Sequence, residues 1–169
     1  LISMSFDTIW FVKKLLGILV LGLLLNGCAT VTPTGGLYKD TTLESGKSRI
    51  IIFRKGGSLI GMDTPEVNIT GTTSLSFYLP SKTFIQEDLK PGNYKVVVSK
   101  DSKNSGLVWR FDPIGQEVIV RKNETVYLEL KTFSTGYTHH TKLIFEGEAY
   151  AIKKIKKMQR VLSSDNAKF

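Results

Sequence analysis

The sequence predicts an all-β domain, an antiparallel β-sandwich, set between an N-terminal signal helix and a short C-terminal amphipathic helix. Three observations carry this. Between Arg49 and Gly147 the chain breaks into eight or nine short β-type runs at about ten-residue spacing, separated by turn residues. Ahead of them stands an apolar run, Leu15 to Leu25, flanked by Lys13 and Lys14. Behind them the apolar residues Ile152, Ile155, Met158 and Leu162 switch to helical spacing. With 169 residues the chain has room for one ordinary domain, and 41% hydrophobic residues with nine Phe, six Tyr and two Trp exclude intrinsic disorder.

The N-terminal segment is read first. As a helix, Leu15 to Leu25 covers about 16 Å, roughly half of a hydrocarbon core, so it is too short to span a bilayer comfortably. A positive flank, a short apolar stretch and a small-residue boundary describe a secretory signal peptide. Initiation at Leu1 through an alternative codon or at Met4 leaves the same signal. The boundary Leu25-Asn26-Gly27-Cys28 resembles the lipobox of bacterial lipoproteins. That resemblance implies a diacylglyceryl group on the Cys28 sulfur, cleavage between Gly27 and Cys28, and acylation of the new amino terminus. With Ala29 next, it also implies the outer membrane as destination. Cys28 is the single cysteine, so an internal disulfide and a cysteine-based metal cluster are both excluded.

Residues 28–47 read as the acylated cysteine and a flexible tether, rich in Thr, Gly and Ser, reaching some 25 Å as a coil. Residues 48–148 hold the strands. Ser48 to Arg54 (SRIIIFR) is a continuous apolar run, turned by Lys55-Gly56-Gly57 into SLIG. Glu66 to Thr70 alternates, with Val67 and Ile69 on one face, and Thr73 to Leu79 places Leu75, Phe77 and Leu79 together. Thr83 to Ile85 leads to a turn at Pro91-Gly92-Asn93, and Tyr94 to Ser99 (YKVVVS) is the clearest strand. A polar loop from Lys100 to Gly106 leads to LVWRF. QEVIV, the RKNE turn and TVYLELK suggest a hairpin, and HTKLIFEGE closes the sheet.

The stretch DLKPGNYKVVV, Asp88 to Val98, resembles the strand-turn-strand signature of PEGA-type, prealbumin-like β-sandwich modules. With SRIIIFRKGG before it and NETVYLEL after it, the chain is similar from Arg49 to Gly147 to a domain of unknown function carried by small Gram-negative lipoproteins. The resemblance implies the fold and the anchor. It brings no catalytic residues.

The tail, residues 149–169, carries six basic residues against Asp165, so +5 of the chain's net +8 sits there. The signal holds +1 and the tether and sandwich the remaining +2, so the fold is nearly neutral. The tail either docks its apolar stripe on the sandwich or presents Lys153, Lys154, Lys156, Lys157 and Arg160 to anionic lipid headgroups or a protein partner. The export signal sets nucleic acid aside as a partner.

Catalytic signatures are missing from the sequence. GGSLIG has Ile60 where a nucleophile elbow needs glycine, no serine stands three residues before a lysine, and the phosphate- and dinucleotide-binding glycine patterns are absent. His139 and His140, the only histidines, would point to opposite faces of a strand and could not readily share a metal ion. Asp112 and Glu117 read as surface turn residues, and the two glycosylation sequons, at Asn68 and Asn123, would not meet their machinery in a bacterial envelope. Trp109, Phe111 and Tyr127 are either core or an aromatic surface for glycan or peptide. The sequence therefore points to a lipid-anchored envelope protein without catalysis or cofactor, acting as a binding or assembly module. The alternatives are a carbohydrate- or peptide-binding domain and an envelope hydrolase with an unrecognised site.

Overall fold

A computed structural model of the chain describes residues 35–56, 64–99, 113–135 and 138–163. Among them lie β1 (Ser48–Arg54), β2 (Glu66–Thr70), β3 (Ser74–Tyr78), β4 (Thr83–Leu89) and β5 (Gly92–Ser99). They continue with β6 (Ile114–Val120), β7 (Thr125–Thr135), β8 (Thr138–Glu146), the helix α1 (Glu148–Ile155) and β9 (Gln159–Val161). One sheet has the order β8-β7-β1-β4-β9 and the other β3-β2-β5-β6. The runs expected at residues 58–61 and 107–111, and the signal segment, lie outside the described residues.

The two sheets share one apolar core in a β-sandwich-like arrangement. Ile50, Ile52, Ile85, Val126 and Leu128 from the five-stranded sheet meet Val67, Ile69, Phe77, Val96, Val98, Val118 and Val120 from the other. The alternation in β2 and β5 is that of strands with one face in the core and one outside. β1 differs, being buried at all seven residues. Its second face, Ile51 and Phe53, joins Phe84, Tyr127, Ala151, Ile155 and Met158 in a second core beneath α1. The described residues thus form three layers, and the continuous apolar run SRIIIFR is the strand covered on both sides.

The sheets are not purely antiparallel. β1 pairs parallel with β7, Arg49 opposite Thr125 through Phe53 opposite Glu129, and β4 pairs parallel with β9. Nor do β6 and β7 form the expected hairpin, since they belong to different sheets. The RKNE turn is a corner instead. Asn123 takes φ 62°, Glu124 accepts a hydrogen bond from the Arg121 amide at 2.9 Å, and Val118, Val120, Val126 and Leu128 all face the same core across the corner. Two strands whose apolar residues alternate in this way can fill one core equally well from one sheet or from two, so periodicity does not distinguish a hairpin from a corner.

Pro91-Gly92 likewise joins β4 in one sheet to β5 in the other. Here Tyr94 fixes the corner. Its ring is buried and its hydroxyl donates to the Lys90 carbonyl at 2.7 Å, with Thr72 Oγ1 at 2.8 Å. This is the bond of a tyrosine corner, tying the strand back onto the connection that precedes it. The ring lies so close to Gly71 that a Cβ there would stand 2.5 Å from Tyr94 Cδ1.

The C-terminal helix is shorter than the stripe through Leu162 suggests. It ends at Ile155, with Lys156 as its cap, and Gln159–Val161 turn into a strand against β4. Tertiary pairing overrides helical spacing. The strand form covers the open edge of β4 and drops Val161 into the inter-sheet core, which a continued helix above the outer face would not do.

Residues 35–47, read as tether, lie against the fold. Gly35 donates to the Arg160 carbonyl at 2.9 Å, Arg160 donates to the Gly36 carbonyl at 3.0 Å, and Leu37 bridges Gln159. A Cβ on Gly35 would stand 2.7 Å from Arg160 Cβ, so glycine permits this approach. Tyr38 then packs edge-on against Phe84 at 5.7 Å, and the Thr41 carbonyl accepts from Arg49 at 2.8 Å. Backbone bonds and a half-buried ring hold what composition alone marks as flexible.

Two outcomes follow for stability. Tyr94→Phe is expected to cost about 1–2 kcal/mol, the value of a buried hydroxyl bond whose loss leaves a carbonyl unpaired, measured by urea unfolding. Truncation after Gly147 removes Ala151, Ile155, Met158 and Val161 from two cores and is expected to abolish the cooperative thermal transition; a sharp transition in the truncated chain would refute it.

Candidate functional site

The described residues concentrate their ionic chemistry where α1 crosses β7 and β8. Glu129 lies on the outward face of β7, in line with Tyr127 and Lys131, and α1 covers it, so its side chain is only 2% exposed. Lys55, just past the end of β1, places its ammonium 2.9 Å from Glu129 Oε1. Lys131 Nζ stands 3.5 Å from Oε2 and donates to Glu146 on β8 at 2.7 Å. Tyr150, on α1, accepts from Lys55 at 2.6 Å and donates to Glu129 at 3.2 Å. The ammoniums of Lys55, Lys131 and Lys154 lie 5.2, 5.9 and 5.4 Å from the Tyr150 ring centre.

The titration pattern states what this cluster can do. The bond to Tyr150, followed by that to Glu129, holds the Lys55 ammonium above its ordinary value. The bond to Glu146 raises Lys131, and the same bond lowers Glu146. An amine acting as nucleophile or base needs its pKa pushed down, by burial or by other cations. Here both lysines are pushed up. The cluster is an ion-paired clamp that holds α1 on the sheet, with a buried carboxylate at its centre.

On its other flank α1 is basic and open. Glu148, Ala149, Ile152, Lys153, Lys156 and Lys157 line a hollow of about 490 Å³ whose floor is the half-buried Ile152. Lys153, Lys156 and Lys157 are exposed. Of the other tail cations, Lys154 is turned to Tyr150, and Arg160 donates to the Gln86 carbonyl and sits 3.4 Å from Glu87. Burial raises the Glu87 carboxyl, with Arg160 opposing the rise. Burial also raises the Tyr38 hydroxyl, and the charges of Asp40 and Glu148 add to it.

The residues singled out from sequence are dispersed. His140 is exposed on β8 and stacks on Phe133 at 5.5 Å, with His139 opposite Ser134 in the hairpin register. Glu117 is exposed on β6, and Asp112 lies outside the described residues, as do Trp109, Phe111, Gly27 and Cys28. Tyr127 is 7% exposed beneath α1, so it is core and not part of an aromatic surface. Among the described residues no group of three His, Cys, Asp or Glu could hold a metal ion, and no helix is long and apolar enough to cross a membrane. Sequence reasoning missed the Glu129 clamp. Its signal was a glutamate on the same face of β7 as Tyr127, which alternation assigns to solvent until a helix is laid over it.

Comparison with protein-family models, with curated proteins and with solved structures returns no match to this chain.

Glu129→Gln is expected to destabilise the fold by about 1–3 kcal/mol, the range for charged bonds lost at a buried site, read from urea midpoints at neutral pH; an unchanged midpoint would remove the clamp. Burial, reinforced by the charge of Glu148, pushes the Tyr127 hydroxyl up to about 12 from 10.0. The folded chain then holds this proton where the unfolded chain releases it. Stability from Tyr127 is whole below pH 10 and drains away as pH rises through about 12, so Tyr127→Phe is expected to flatten the alkaline decline.

Proposed function

We propose that the chain is a lipid-anchored envelope lipoprotein, carried by a triacylated Cys28 on the periplasmic side of the outer membrane, and that its domain is a non-catalytic binding or envelope-assembly module. The carrying observation is the place of the only cysteine, directly after an apolar run and the residues Leu25-Asn26-Gly27. At about 0.8 kcal/mol per buried methylene, three fatty chains hold a small domain on a bilayer essentially without release, where one chain binds only reversibly. The mostly β fold agrees with the PEGA-like, prealbumin-like module that the Asp88–Val98 stretch resembles. In that reading the sandwich presents its loops and outer faces to a ligand, and Cys28 acts as anchor and not as nucleophile.

Metabolic labelling with a fatty-acid analogue tests the anchor. The wild-type chain is expected to take up label and to shorten to residue 28, while Cys28→Ala does neither. Equal labelling of the two overturns the reading.

A further inference from the structure

We propose that the strap at residues 35–37, β9 and the open flank of α1 form one membrane-facing pole, where Lys153, Lys156 and Lys157 contact the phosphates of anionic phospholipid in the leaflet that holds the chain. The inference rests on the anchor at Cys28 and adds an orientation to it.

The length of chain outside the fold sets the distance. A tether running to residue 47 would leave the domain free to turn any face to the bilayer. The backbone bonds of Gly35 and Gly36 to Arg160 fasten the described chain to the fold from residue 35 onward. From Cys28 to Gly35 is seven residues, whose covalent geometry limits the reach to at most about 25 Å. The entry point is fixed on β9, at the edge of the five-stranded sheet and only two residues past Lys157.

Of the lysines of α1 and the turn after it, those on that side have no ion pair among the described residues. Tyr150 and Lys154 turn one flank of α1 toward β7 and β8, where Glu129 and Glu146 answer the lysines. The opposite flank carries Glu148 and runs on to Lys156 and Lys157, which stand three and two residues before the Gln159 that bridges Leu37 of the strap. There Ile152 forms an apolar floor and three exposed lysines the rim. An apolar strip rimmed by lysines suits the headgroup boundary, where the ammonium groups meet anionic phosphates and the apolar floor meets the acyl edge. The field falls off within a Debye length, about 8 Å at physiological salt, so a short tether is what makes it count.

The test uses the full, lipidated chain reconstituted in vesicles of phosphatidylcholine alone or with about one third phosphatidylglycerol. Flotation reports the anchor, and amine-reactive footprinting read by mass spectrometry reports the orientation. Chain floating with both vesicle types is expected, with labelling of Lys153, Lys156 and Lys157 several-fold lower on the anionic vesicles and recovering in high salt. Lys95 on the other sheet and Lys122 in the β6–β7 corner are expected to label equally on both. Flotation with unchanged or uniformly reduced labelling overturns the pole and leaves the anchor standing. No flotation on either vesicle removes the anchor and the pole together. Protection of the three lysines in native envelopes but not on vesicles assigns the surface to a protein and overturns the lipid contact.

Discussion

Burial of β1 on both faces is the constraint from which the rest of the architecture follows. Seven consecutive buried residues require an apolar layer above and below the same strand. The four-stranded sheet supplies one and α1, with Met158 and Tyr38, supplies the other. A central strand also needs a hydrogen-bonded neighbour on each edge, and β4 and β7 fill those places. Its polar ends must be satisfied where they stand. Ser48 donates to the Arg121 carbonyl at 2.7 Å. Arg49 forks onto Asp88 at 2.5 and 2.8 Å and reaches Thr41, and Arg54 donates to the Leu79 carbonyl. These bonds draw the β6–β7 corner, the strap and the end of β3 onto one strand. Loss of any covering layer would therefore expose apolar surface and strand buried polar groups together.

Much of the strand inventory was legible because it depends on local pattern. β1 and β2 carry the boundaries that their apolar runs suggest, and alternation gives the inward faces of β2, β3 and β5. What did not show is who pairs with whom. The valines of β6 and β7 satisfy a hairpin and a corner alike, and the choice is made by β1, some seventy residues earlier, which takes β7 as a parallel partner. β9 was hidden by the opposite conflict. Its residues continue a helical stripe, but the open edge of β4 and the glycines at 35 and 36 offer backbone bonds that a helix cannot use. The clamp at Glu129 was unreadable for a third reason, since burial of a glutamate on the outward face of a strand depends on a helix contributed by another part of the chain.

The strap changes how the composition of the early chain is understood. Thr, Gly and Ser mark a segment that does not need to be ordered, yet each type finds a use when a surface is offered. Gly35 permits contact with Arg160, Tyr38 fills the side of the second core, and Thr41 lends its carbonyl to Arg49 and its hydroxyl to Gln86. Ordering about a dozen residues costs roughly 1–2 kcal/mol of backbone entropy each. It is offset only where such contacts recur along the segment. They do so at 35–38 on β9 and β4 and again at 41 on β1 and β4, the spacing of a strap fastened at both ends.

Charge divides along the same lines. Of the chain's net charge of +8, +5 lies in residues 149–169, and the fold sorts the described cations among them into two groups by what faces them. Lys154 meets the Tyr150 ring of its own helix and Arg160 meets the Glu87 carboxylate of β4, so they belong to the fold. Lys153, Lys156 and Lys157 lie on the flank of α1 turned away from Glu129 and Glu146, where their mutual repulsion is left to solvent. A helix that needed charge only for solubility could interleave both signs on this face, as surface helices commonly do. This flank instead sets three lysines against the single carboxylate of Glu148, beside the point where the chain enters the fold, an imbalance that costs a little stability in isolation.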